Sequence, residues 1–318
     1  MLHPRAFKVT VVWTLALLFL GSIVHATESS LACPDWPTCF GTMVPEMTGG
    51  VFWEHLHRLV AGGLVLMFAL ATWLARRETS DRPWIFRACL TGIALLLVQS
   101  VFGGLTVIYQ LPDLVSTTHL TLAFSFLALA TVLAATSDGA TGTGGNQRSA
   151  PPAIEGFGPG VGARLRTRSA AAAALVLVQS VVGALVRHTD GGISCPDIPL
   201  CLGQVVPPLV NIQITSHFLH RVFAIVATVA VLTLAGWALR AEMPPKVRRW
   251  VVGAAALVIV QVALGVWSVL SVLDVPPVSL HTLVAALLIV VLIIAASFGA
   301  RAGLPATAEQ PARAGSVA

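Results

Sequence analysis

Residues 33–39 read Cys-Pro-Asp-Trp-Pro-Thr-Cys, and residues 195–201 read Cys-Pro-Asp-Ile-Pro-Leu-Cys, 162 positions later. Gln99 and Gln261, His119 and His281, and Gly21 and Gly183 keep that offset, while His57-Arg58 recurs one position later still as His220-Arg221. So many uncommon residues sharing one spacing mark a duplicated unit, as in membrane folds built from internal repeats.

Outside the repeated motif the chain is built for lipid. Of its 318 residues 56% are hydrophobic and only 10% charged, against about 25% charged in a soluble domain, which is too few to cover a water-facing surface. Apolar runs of about 20 residues, enough helix to cross roughly 30 Å of hydrocarbon, occur eight times, near 9–26, 53–75, 85–108, 116–136, 169–187, 214–239, 249–270 and 279–299. The first has the basic start of a signal peptide (Arg5, Lys8), but Val24-His25-Ala26 is a poor small-x-small cleavage site. The repeat places that segment inside the fold, so it is read as a retained helix.

The basic residues record orientation. Arg76, Arg77, Arg82 and Arg87 fall in one loop region, Arg148, Arg164, Arg166 and Arg168 in the next, and Arg240, Lys246, Arg248 and Arg249 in a third, with Arg5, Lys8 and Arg301 at the ends. The positive-inside rule then expects both termini in the cytoplasm and segments 27–52, 109–115, 188–213 and 271–278 outside a plasma membrane. The formal charge of +5 is spread over these loops and forms no broad basic face, which argues against a nucleic-acid partner.

The expected fold is therefore an all-α membrane protein of eight transmembrane helices in two tandem four-helix bundles. An even number of crossings per half gives both the same orientation, so a pseudo-twofold axis along the membrane normal should relate them. The N-terminal half is expected over 1–136, a Gly/Thr/Ser/Pro/Ala-rich cytoplasmic linker over 137–168, the C-terminal half over 169–300 and a disordered cytoplasmic tail over 301–318.

Of nine histidines, His57, His119, His220 and His281 occupy matched places, two per half, at one depth. An ionisable side chain inside a span is costly and usually functional. Two imidazoles approaching from facing helices suit axial ligation of a heme iron; the plainer alternative is interhelical hydrogen bonding. Zinc fits these pairs less well, since two His fall short of a usual ligand set. His25, His55 and His188 read as interfacial or loop residues. Arg58 and Arg221, each directly after a His, are candidates to hold heme propionates by charge-assisted pairs, or else to snorkel to the interface. Gln99, Gln179 and Gln261 read as interhelical hydrogen-bonding residues, and Gly103, Gly104, Gly183 and Gly265 as sites of close helix approach.

The halves are not equivalent. Glu54 lies three residues before His57, on the same helical face, where the second half has His217 before His220. A carboxylate beside one heme can move protons, so one site is expected to do chemistry and the other to carry electrons. Cys33/Cys39 and Cys195/Cys201 fall in outer segments where disulfides persist. Stapling of short loops and thiol exchange near a heme edge both account for them. Cys89 reads as an inert thiol.

Taken together, Glu54-x-x-His57-Arg58, His119, His220-Arg221, His281, the Cys33–Cys39 loop and the duplication resemble the heme A synthase family over residues 8–300 or so. The resemblance implies conversion of heme O to heme A by oxidising a ring methyl to a formyl group, through two hydroxylations and loss of water from a gem-diol. It implies that His57 and His119 flank the substrate heme O with Glu54 as catalytic carboxylate, and that His220 and His281 ligate a heme b cofactor that relays electrons. It further implies a disulfide at Cys33/Cys39, a second at Cys195/Cys201 as in some members, heme O synthase as a candidate donor of substrate, and cytochrome oxidase assembly as recipient of product. A homo-oligomer is compatible with this reading. Rival classes are a di-heme b-type electron-transfer cytochrome, which gives Glu54 no task; a membrane thiol–disulfide oxidoreductase, which needs no His pairs; and a transporter, which would more often show broken helices at mid-membrane.

Overall fold

The computed structural model describes residues 2–79, 82–137 and 153–302. Residues 138–152 of the expected linker, Arg148 among them, and 303–318 of the expected tail lie outside the described residues. Among the described residues eight helices are long and apolar enough to cross a membrane: α1 (His3–Ala26), α2 (Gly49–Glu78), α3 (Pro83–Ile108), α4 (Asp113–Ser137), α5 (Val161–His188), α6 (Ile212–Arg240), α7 (Pro245–Leu270) and α8 (Val275–Arg301).

The helix starts follow local chemistry. α1, α3, α7 and α8 carry Pro in the first turn, where its missing N–H is not needed. α6 is capped by Asn211, whose side chain accepts from the Ile214 N–H at 2.8 Å. Each helix runs past the apolar segment that predicted it. The difference is largest at α5, which begins at Val161, inside the stretch read as linker. Hydropathy finds the lipid-crossing part of a helix, not its polar ends. The long Arg side chains of this first part suit an interface, and Arg168 stacks its guanidinium 4.6 Å from the Trp237 ring.

The duplication extends to the backbone. α3 and α7 coincide at both ends under the 162-residue offset, as do the starts of α4 and α8. The cis peptides Trp36-Pro37 and Ile198-Pro199 are related by it, and so are the left-handed residues Glu28 and Asp190, Phe40 and Leu202, Gln110 and Val272, and Leu111 and Leu273.

In the first half α1 packs on α2 and α4, and α3 on α2 and α4; α5–α8 repeat this ring of contacts. The halves meet through α1 against α8, α4 against α5, and α4 against α8. Exchanging the halves maps this set onto itself. Away from the disulfide loops the core is mainly apolar: Phe68 stands edge-on to Phe126 at 5.0 Å and near Phe7 at 6.4 Å, with Ile85, Leu133, Leu165 and Leu292 fully buried.

The tightest crossing is α5 against α8. A Cβ on Gly299 would lie 2.5 Å from the Gly162 carbonyl oxygen and 2.6 Å from the Arg166 nitrogen, backbone atoms that only separation of the helices can relieve. Gly299→Ala should cost about 1–3 kcal/mol and lower the thermal unfolding temperature in detergent. Gly253→Ala, with nothing within 4 Å of its new Cβ, is the control. Equal temperatures for the two variants would refute this packing.

Candidate active site

The four matched histidines share one depth. His57 and His220 lie eight residues into α2 and α6, and His119 and His281 six residues into α4 and α8. At about 1.5 Å per residue this is roughly 9–12 Å below the end of the bundle that carries the disulfide loops.

Each imidazole is seated by a glycine on a neighbouring helix. A Cβ on Gly21, Gly103, Gly183 or Gly265 would meet Cε1 of His57, His119, His220 or His281 at 2.9, 3.0, 2.8 and 3.1 Å respectively. These glycines admit a ring, which is more specific than the close helix approach expected of Gly103, Gly183 and Gly265. Gly104 makes room for the Trp36 indole instead, at 2.8 Å.

The second ring nitrogen is fixed as well. His119 Nδ1–H donates to the Gln99 carbonyl, and His281 Nδ1–H to the Gln261 carbonyl, both at 3.1 Å. That tautomer leaves Nε2 with a lone pair, the state an iron-ligating His needs; on His119 it accepts from the Gln99 side-chain amide at 3.3 Å. The centroids of His220 and His281 stand 6.4 Å apart. Two imidazoles bonded to one ion at about 2.0 Å each would place their centres roughly 6 Å apart, so this pair fits axial ligation of a heme. Around the rings His57 Nδ1 and the Oε1 atoms of Gln99, Gln179 and Gln261 are buried with no hydrogen-bond partner in the protein, the mark of a polar site rather than of a packed core.

Above the histidines both cysteine pairs are disulfides, Cys33–Cys39 and Cys195–Cys201. Arg58 and Arg221, expected to reach propionates, are committed to these loops. Arg58 donates to the carbonyls of Asp35 at 2.7 Å, Thr38 at 2.5 Å and Cys33 at 3.3 Å, and to Glu54 Oε1 at 2.5 Å. Arg221 repeats the pattern on Asp197 at 2.7 Å, Leu200 at 2.6 Å and Cys195. Neighbours on a helix point about 100° apart, so each Arg, directly after a matched His, turns away from that ring and toward the loop. The Asp35 carboxylate closes the first loop from inside, accepting from the Thr38 hydroxyl, the Phe40 N–H at 2.6 Å and the Gly41 N–H at 2.9 Å.

Glu54 is 4% exposed. Its Oε2 accepts from the Cys33 N–H at 2.8 Å while Oε1 takes Arg58, so the buried charge is paired and hydrogen-bonded, the condition under which it is tolerated. At the matched place His217 Nδ1 lies 2.8 Å from the Gly191 carbonyl, a structural bond in place of a carboxylate. Gln179 Nε2 lies 3.0 Å from His220 Nδ1, whereas the position 162 residues earlier is Leu17, and His57 Nδ1 is buried with no hydrogen-bond partner.

The three histidines read as interfacial or loop residues make defined contacts. His55 is 2% exposed and lies beside the first disulfide. His25 and His188 stack at 5.1 Å where the halves meet, with Arg187 donating to His25 Nδ1 at 3.1 Å and its carbonyl at 2.9 Å, and Thr117 Oγ1 3.2 Å from His188 Nδ1. His55 had a signal in the sequence, since its place in the second half is Phe218. The Gln99 and Gln261 carbonyls had none, because a backbone group leaves no trace in residue type.

The family model described as "Cytochrome oxidase assembly protein" matches residues 5–293. The chain is 32% identical over 279 residues to the protein named "Heme A synthase" of Symbiobacterium thermophilum, covering 86% of this chain and 87% of that one. Proteins of the same name from Shouchella clausii and Halalkalibacterium halodurans are 28% and 27% identical, over 84% and 86% of this chain and 86% and 88% of theirs.

The Cys33–Cys39 loop carries its own pH response. The Thr38 hydroxyl, then the Gly41 and Phe40 N–H groups, hold the Asp35 carboxyl below its ordinary value. A depressed pKa stabilises the folded loop above the unfolded value, and the benefit is lost as pH falls through the folded value. Amide exchange at Phe40 and Gly41 should therefore be protected at neutral pH and quicken, relative to intrinsic rates, below the usual carboxylate range. Asp35→Asn should flatten that profile; an unchanged profile in the variant would remove Asp35 as its cause.

Proposed function

The chain belongs to the cytochrome oxidase assembly protein family, and from that membership we propose that it is a heme A synthase, an oxidoreductase that oxidises a ring methyl of heme O to the formyl group of heme A for cytochrome oxidase. The observation that carries this reading is the pairing of two glycine-seated imidazoles in each half with a buried carboxylate in only one.

In the N-terminal half His57 and His119 hold the substrate heme O, with Gly21 and Gly103 setting the ring positions. Glu54, one turn before His57, is the group able to take a proton at Oε1 or Oε2 as the methyl is oxidised. The Cys33 N–H and Arg58 keep it aimed, and the fixed loop keeps both in place. In the C-terminal half His220 and His281 hold a heme b. When bound, that heme supplies one-electron transfer away from the substrate. Gln179, Gln261, Gly183 and Gly265 orient its ligands, and His217 contributes a hydrogen bond where a carboxylate would otherwise stand.

The halves serve as substrate and cofactor units related by a pseudo-twofold axis along the membrane normal. His25 and Arg187 support that relation: they are 162 positions apart and bonded to each other, as repeat-related residues must be when they lie on such an axis. Both termini face the cytoplasm and the cysteine loops face outward, where heme O synthase delivers substrate within the same membrane.

Expression with a supply of heme O, followed by extraction and chromatography of the hemes, tests the assignment. Wild type should yield heme A and heme b. Glu54→Gln keeps an acceptor for the Cys33 N–H and should retain heme b while heme A formation falls about 100-fold or more. Heme b alone from both would indicate an electron-transfer cytochrome, and no heme from either a thiol oxidoreductase or transporter. His220→Ala and Gly183→Ala should deplete heme b more than His57→Ala and Gly21→Ala do; equal losses would refute unequal halves.

A further inference from the structure

His55 takes no part in the proposed chemistry, yet it is placed with care. It is 2% exposed, and Cys33 and Cys39 are fully buried beside it. One of its ring nitrogens and the two sulfurs lie within 4.8 Å of one another. His55 Nε2 stands 3.1 Å from the Met43 carbonyl, to which it donates, and Nδ1 is buried with no hydrogen-bond partner. A ring N–H tethered to a backbone carbonyl, with the opposite nitrogen's lone pair unused, is the arrangement of a metal-ligating histidine. The matched position in the second half is Phe218, so only one of the two cysteine loops has this third group.

We propose that the dithiol form of Cys33 and Cys39, together with His55, is a binding site for a thiophilic d¹⁰ cation such as zinc(II) or copper(I). An external dithiol opens the site. The S–S bond takes two electrons and two protons to become two thiols while the dithiol closes to its own disulfide. Cation binding then displaces both thiol protons. Two thiolates and one imidazole leave a fourth position open on zinc, and soft sulfur ligands favour copper(I) equally. The bound ion closes the loop as the disulfide does and, through His55, also ties it to α2. The loop in turn supplies the Cys33 N–H to Glu54 and three carbonyls to Arg58.

The test uses the full chain in detergent, with zinc as the probe and a phosphine as reductant. In a Cys195→Ser/Cys201→Ser background the reduced protein should bind one zinc in equilibrium dialysis with metal analysis, and the disulfide form none. His55→Phe copies the second half and should weaken binding roughly a hundredfold or more, since losing even an outer partner of a ligand costs 10–100-fold. A second measurement needs no variant. In reduced wild type, zinc should slow alkylation of Cys33 and Cys39, read by mass spectrometry, while leaving Cys195 and Cys201 reactive. No zinc uptake on reduction, equal affinity after His55→Phe, or equal protection of both pairs would overturn the proposal.

Discussion

Four imidazoles lie against four glycines of neighbouring helices, and the spacing of the bundle at its loop end is set by that contact. A single Cβ would come within 2.8–3.1 Å of Cε1 in every case, closer than such atoms pack, so any side chain there would turn the ring or part the helices. Ring position is thus set by backbone, which a membrane bundle holds rigidly because every helical hydrogen bond is satisfied internally. With the Gln99 and Gln261 carbonyls fixing the tautomers of His119 and His281, two of the four rings have both position and lone pair determined without a bound group.

The loops depend on the same helices. Arg58 and Arg221 are each one residue beyond a glycine-seated His, so the turn of α2 or α6 that aims the imidazole inward also aims the guanidinium at the loop carbonyls. The disulfide, the Asp35 carboxylate and the Arg bonds each constrain the first loop. Its Cys33 N–H is then fixed well enough to hold Glu54, a buried carboxylate that would be costly without two partners.

Most of this frame was legible in the sequence because it is carried by rare residue types at one offset. The eight spans, the paired histidines, the disulfides and the singular Glu54 all have side-chain signatures. Helix ends were less legible: the polar first turns of α5 carry Arg164, Arg166 and Arg168, which a search for apolar runs discards. The bonds of Arg58 and Arg221 to loop carbonyls leave no trace in residue type, because their acceptors are backbone groups. The contrast of His55 with Phe218 is visible in the sequence, but its neighbours are not: the disulfide lies 16 to 22 residues earlier in the chain and the Met43 carbonyl is a backbone group.

Duplication explains why the halves could diverge without loss of fold. The differences fall where a change leaves the frame intact: Glu54 against His217, Leu17 against Gln179, His55 against Phe218. Each pair exchanges one side chain inside a cradle whose backbone, glycines and Arg-to-loop bonds are common to both halves. Polar satisfaction is then solved separately: Glu54 uses a backbone N–H, His217 a backbone carbonyl, and both partners come from the segment that follows the first helix of the half. A donor serves the acceptor and an acceptor serves the donor, so the same loop geometry tolerates a negative group in one half and a neutral one in the other. Glu54 and His217 bond to the segment that follows the first helix of their half, and His55 lies beside the first disulfide, so these differences sit at the loop end and leave the helix-to-helix contacts of the frame unchanged.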